Sequence, residues 1–170
     1  MLMDTLDLDF LFHQLLCYRD KTKDNMSLGS WLQCQMKGRS FPSLHHLPFR
    51  PNTYTRNCIA KEALEDCNSC DQRFEALILC WDKQVKTRIH GHPAFSFYHV
   101  VSGVFEIDTF SCTSQSKLQL EDTQTFLPAD TTWFSGQAGR YDNWIHSVRC
   151  LEAGLTFHIY SEDAQKGIVL

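Results

Sequence analysis

The sequence has no surplus of basic residues with which to track a phosphate backbone. Sixteen lysines and arginines stand against twenty aspartates and glutamates, a net charge of −4, with no like-charged block and no basic stripe. Nucleic acid is therefore not an expected partner. The chain also lacks any apolar run approaching the roughly 20 residues of a membrane span, and it carries no internal repeat or low-complexity segment. Its first twenty residues, MLMDTLDLDFLFHQLLCYRD, hold four aspartates among the leucines. They show neither a positively charged leader nor a small-residue cleavage site, so they do not read as a signal peptide. Together these absences point to a soluble, cytoplasmic protein without a membrane partner. Oligomeric state is not legible, and a monomer is compatible with everything above.

Cysteine is not scarce: eight are present, at 17, 34, 58, 67, 70, 80, 112 and 150. Several sit inside apolar runs such as LILCW, where a reduced cysteine behaves as a small core residue, so mostly free thiols are expected. Cys67-Asn-Ser-Cys70 has the spacing of a zinc or redox pair. It lacks a second pair downstream and a βαβ setting, and a polar turn with two thiols is the simpler reading.

At 170 residues the chain fits one domain, read as residues 1–170 with a helical N-terminal wrap over 1–50 and a β-barrel over 51–170. Residues 4–18 place Leu6, Phe10, Leu11 and Leu15 at mostly helical spacing, with aspartates in the first turn where the helix dipole favours them. A second short helix is expected over 27–37, stopped by Gly38. Three prolines and His45-His46 then make a wrapping loop as far as Pro51. From Tyr54 the texture changes to short β-prone runs: FEALILCW, TRIHGH, FSFYHVVSG, VFEIDTFSC, KLQLED, TQTFLPAD, TTWFSG, NWIHSVRC and GLTFHIYS. Turn residues separate them, and residues 137–142 form the clearest loop. The fold class is all-β, a small barrel or double-sheet jelly roll with N-terminal helices.

Side chains at i and i+2 of a strand share a face, so His90 and His92 project together, either into the barrel or out of it. The pair can chelate a metal or be merely structural; two ligands hold an ion weakly, and a third must come from elsewhere. His146, in NWIHSV, and His158, in TFHIYS, lie on late strands able to face inward. His13, His45, His46 and His99 lack such a setting and are read as solvated or structural. Imidazole ligands without thiolate suit iron, copper, nickel or zinc and leave open positions for chemistry at the metal.

The Tyr54-Thr55-Arg56-Asn57 run, the FEALILCW strand, Ile89-His90-Gly91-His92, the late His146 and the closing Thr156-Phe157-His158-Ile159-Tyr160-Ser161 resemble, in order, the motifs of the cysteine dioxygenase family of cupins. The resemblance spans about residues 50–161. It implies that His90, His92 and His146 bind one ferrous iron, Fe(2+), with a small thiol and O2 as its partners. It further implies that Arg56 clamps the substrate carboxylate beside a Tyr54 hydroxyl, and that Thr156, His158 and Tyr160 form a hydrogen-bond relay, threonine standing where the family has serine. A planar guanidinium is suited to gripping a carboxylate.

Three departures bear on the site. Ser96 occupies the place of the cysteine that cross-links to the tyrosine in animal members, so no thioether is expected and the chain resembles bacterial members. Glu162-Asp163 follows Tyr160-Ser161 where the family has proline, and the chain stops before most of a C-terminal region that helps to roof the pocket. The implied activity is conversion of a small thiol, L-cysteine foremost, to its sulfinate. The alternatives are 3-mercaptopropionate or another small thiol as substrate, or a cupin that binds a metal or anion without turnover.

Overall fold

A computed structural model describes residues 4–63, 73–113 and 117–170, so Cys67 and Cys70 lie outside the described residues. Helix α1 spans Leu8–Thr22. Asp7 caps it from outside, its carboxylate accepting the Phe10 amide at 2.9 Å, and Lys23 closes it in the left-handed region at φ 52°. Helix α2, Asn25–Met36, is capped in the same way by Asp24, which accepts the Met26 amide at 3.0 Å. An aspartate cap contributes about 1 kcal/mol. Caps also explain why α1 starts later than the hydrophobic spacing indicates: Asp4 and Asp7 precede the helix, and only Asp9 lies in its first turn. Leu11, Phe12 and Leu15 on α1 and Leu28, Leu32 and Met36 on α2 form the buried stripes.

Seven antiparallel strands follow among the described residues: β1 Tyr54–Lys61, β2 Glu75–Trp81, β3 His90–His92, β4 Phe95–Cys112, β5 Leu118–Phe126, β6 Thr131–Ser135 and β7 Asn143–Tyr160. Their order is β1-β2-β7-β4-β5, with β3 paired to β7 and β6 to β4. The architecture is thus mostly β with two N-terminal helices. Alternation along the strands makes two apolar layers. One contains Leu77, Leu79, Trp81, Tyr98, Val100, Phe105 and Tyr160; the other contains Ala76, Ile78, Cys80, Phe95, Phe97, Phe157 and Ile159, packed on the helices. β2 is buried on both faces, which is why its sequence is an unbroken apolar run after Glu75.

The nine β-prone runs do not map one to one onto strands. FSFYHVVSG and VFEIDTFSC are one strand of 18 residues, and so are NWIHSVRC and GLTFHIYS. Ser-Gly and Ala-Gly read as turns, yet the glycines serve a crossing. Gly103 has φ +86°, and a Cβ on Gly154 would lie 2.1 Å from the Ser102 carbonyl oxygen. The β4–β7 register shifts three times between Val100 and Phe105. Bulges and close backbone approach bend both strands without ending them.

After β7 a single 3₁₀ turn, Ala164–Lys166, reverses the chain. The last residues then run beside β3: the Gly91 amide donates to Ile168 at 2.8 Å and the Leu170 amide donates to Ile89 at 2.9 Å. The six described cysteines are free. Among the described residues no helix is long and apolar enough to cross a membrane.

Candidate metal centre

β3 and the first half of β7 bring three imidazoles together. His90 pairs with His146 across the ladder, and His92 projects from the same face of β3 two residues on. One ring nitrogen from each of His90, His92 and His146 lies within 4.8 Å of the others. The Nε2 atoms of His92 and His146 are 3.1 Å apart. Two ligands at the usual metal–nitrogen distance of about 2.1 Å, set at right angles about one ion, lie about 3 Å apart, so this pair has the separation of neighbouring ligands.

Protonation favours the same role. Burial, and then the proximity of the other imidazoles, holds His92 and His146 well below the ordinary histidine value; burial also lowers His90. All three are therefore neutral, with a lone pair to give. For His90 the donating atom is fixed: Nδ1–H donates to the Arg88 carbonyl at 2.8 Å, which leaves Nε2 for a ligand. The Nδ1 atoms of His92 and His146 are buried without a partner. Packing sets those rings instead, with Trp144 edge-on to His146 at 4.2 Å and Tyr160 parallel to His92 at 5.4 Å. Asn143 steadies the strand end, its amide donating to the His92, Gln137 and Arg140 carbonyls. The donor set fits a divalent ion with positions left open.

The second half of β7 carries Thr156, His158 and Tyr160 on one face. Thr156 Oγ1 lies 2.7 Å from His158 Nε2, and His158 Nδ1 lies 2.9 Å from the Tyr160 hydroxyl. Trp81 gives the chain a direction. Its indole N–H can only donate, and it reaches Thr156 Oγ1 at 2.7 Å. With Thr156 fully buried, its own proton is best spent on His158 Nε2. His158 then donates through Nδ1–H to Tyr160, and the phenol proton is left free. Burial, then the charge of Arg56, lowers His158 to about 3, and burial pushes the Tyr160 phenol up, so His158 stays neutral and Tyr160 stays a donor. Trp81 was not a candidate from sequence, because nothing in FEALILCW reveals that β2 pairs with β7 in a register that sets Leu79 opposite Thr156.

Arg56 and Tyr54 lie in β1, two residues apart on one face. Tyr54 stacks on Trp81 with ring centroids 4.5 Å apart. The Arg56 side chain keeps 29 % of its surface and sits 3.9 Å from Glu75. Its charge acts on His90, His92, His158 and Tyr160, so it lies near both the imidazole set and the relay. Ser96 lies directly across from Tyr160 in the β4–β7 ladder, its hydroxyl buried and unpartnered. The remaining histidines stay apart: His13, His45 and His46 are exposed, and His99 is buried with Nδ1 2.9 Å from Thr131 Oγ1.

Neutral buried histidines make the fold acid-labile. In the unfolded chain they take up protons below about pH 6.5, whereas His158 holds out to about 3 and His99 to about 4. Depressed folded values mean that the unfolded state binds more protons in this window, so stability falls as pH falls. Between pH 7 and pH 5 each group removes on the order of 2 kcal/mol, in a range where carboxylates stay ionised. Urea unfolding at the two pH values reads the loss, and a midpoint that stays put would contradict it.

No protein-family model and no curated protein matches the chain. Solved structures that are similar to it include cupins. An RmlC-like cupin from Shewanella frigidimarina is 13 % identical over 68 % of this chain and 81 % of its own, with a TM-score of 0.46. A cupin superfamily protein from Desulfitobacterium hafniense is 14 % identical over 74 % and 97 %, with a TM-score of 0.48. The DMSP lyase DddQ from Ruegeria pomeroyi, an enzyme, is 13 % identical over 69 % of this chain and 51 % of its own, with a TM-score of 0.48.

Proposed function

We propose that the protein is a thiol dioxygenase that uses ferrous iron at His90, His92 and His146 to convert a small thiol, L-cysteine foremost, to its sulfinic acid. The reaction joins the thiol to one molecule of O2 and needs no other reductant. The observation that carries this reading is the meeting of two systems: a three-imidazole set with open sides and a relay that ends in a free phenol proton, with Tyr160 parallel to His92 at 5.4 Å.

Ferrous iron held there would supply redox chemistry, bringing sulfur and dioxygen within reach of each other. This chain's own groups do the rest. Arg56 binds the carboxylate and so fixes how deep the thiol sits. Tyr160 donates its proton to an oxygen or sulfur atom of the bound reactants, while His158 and Thr156 hold the phenol in place and Trp81 orients the threonine. The buried faces of His92, His146 and Tyr98 keep bulk water away from the inner end. L-cysteine is favoured over 3-mercaptopropionate because Arg56 matches the arginine of the cysteine dioxygenases that the motifs resemble, where the dioxygenases acting on 3-mercaptopropionate usually have glutamine.

Anaerobic purification with metal analysis, followed by oxygen uptake with cysteine, 3-mercaptopropionate and cysteamine, tests the proposal. One iron per chain and uptake with cysteine are the expected results. A protein that binds no iron would end it. Uptake with cysteamine but with neither acid would remove Arg56 as the carboxylate anchor.

A further inference from the structure

Glu75 opens β2 with its side chain almost wholly buried, a costly place for a carboxylate. It faces Lys61 on β1 and Tyr160 on β7. One oxygen accepts the Ala164 amide at 2.9 Å and lies 3.9 Å from the Arg56 guanidinium; the other lies 3.6 Å from the Lys61 ammonium. Neither cation is at hydrogen-bonding distance, since charge-assisted bonds run at about 2.7–2.9 Å. Among the described residues Arg56 makes no shorter contact with an acid. Glu75 therefore restrains the guanidinium by charge without occupying its fork. Two cations around one carboxylate leave a single net positive charge. It stands next to Tyr160, on which Arg56 and Glu75 pull in opposite senses.

We propose that Glu75 is a positioning residue for Arg56 and that its negative charge restricts the cavity to thiols bearing one carboxylate. The inference rests on the thiol-carboxylate reading of the site. A monoanion balances the net positive charge; a second carboxylate would meet Glu75 with nothing left to neutralise it. Like charges about 7 Å apart in a partly solvated cavity change affinity by about tenfold or more.

Calorimetric titration of the iron-loaded full chain with 3-mercaptopropionate and with mercaptosuccinate, under anaerobic conditions, gives the ratio of the two dissociation constants. Wild type is expected to favour the monoacid, and Glu75→Gln, which keeps an oxygen for the Ala164 amide, should move the ratio about tenfold toward the diacid. Lys61→Gln, at a largely exposed position, should move it the other way and serves if the Glu75 variant does not fold. Ratios that stay within twofold of wild type in the folded variants would overturn the role of Glu75. Oxygen uptake separates this from the larger reading: a wild type that binds both acids with the expected ratio but takes up no oxygen with cysteine, 3-mercaptopropionate or cysteamine keeps the inference and loses the dioxygenase. A wild type that binds neither acid loses the inference, and the dioxygenase falls with it only if cysteine gives no oxygen uptake either.

Discussion

A His146→Ala protein dialysed against ferrous or cobaltous ion is expected to retain less than about one tenth of the wild-type metal. Two histidines two residues apart on one strand hold a divalent ion weakly, and the third supplies the geometry that excludes easy exchange. Loss of a group that merely orients a ligand already costs about 10–100-fold in affinity, so loss of the ligand itself should exceed that. His146 is also the member held on both sides, by His90 on β3 and Thr109 on β4, so the remaining two rings cannot slide to replace it. Metal analysis of this variant beside His45→Ala, whose side chain is exposed, separates a specific loss from handling. Thermal melting supplies a second readout, because an ion that binds only the folded chain raises the midpoint with concentration; the variant should show no such rise. Full metal retention by His146→Ala would mean that the ion sits elsewhere.

Arg56→Ala should leave metal content unchanged and reduce kcat/KM for L-cysteine by about 10²–10³-fold. The magnitude is the lower part of the range expected from losing a charged, two-pronged contact, at roughly 1.5–3 kcal/mol for each hydrogen bond to a charged partner, because Arg56 is partly exposed and water takes its place. Lys61 sits farther out, its side chain 42 % exposed, and cannot supply a fork. Cysteamine has no carboxylate, so its oxidation, if any, should change by less than about threefold. A loss confined to the acids identifies the clamp. Equal losses on cysteine and cysteamine would instead show that Arg56 acts through the electrostatics of His158 and Tyr160, which its charge also reaches.

Which of the candidate residues share a face was readable because period two is robust. His90 and His92, Thr156, His158 and Tyr160, and Tyr54 and Arg56 are each spaced by two, and each set shares a face in the structure. The helices were readable from their stripes, with ends misplaced by a few residues because a capping aspartate and a first-turn aspartate look alike in sequence. What stayed hidden was register. That Ser96 faces Tyr160, that Trp81 reaches Thr156 and that Glu75 neighbours Arg56 all depend on which residues of distant strands stand opposite, which composition does not encode. The strand count failed for a related reason. Gly103 and Gly154 carry the same local signature whether a chain turns or crosses another closely, and only the partner strand decides.

Because β7 runs unbroken from Asn143 to Tyr160, His146 and His158 belong to one interior ribbon: the first is flanked by β3 and β4, the second by β2 and β4. Amide protons at both positions should therefore exchange with deuterium at closely similar, slow rates, set by opening of the sheet as a whole. Fraying near β1 or β5 would leave them untouched, so the imidazole set and the relay should keep their mutual placement until the molecule unfolds.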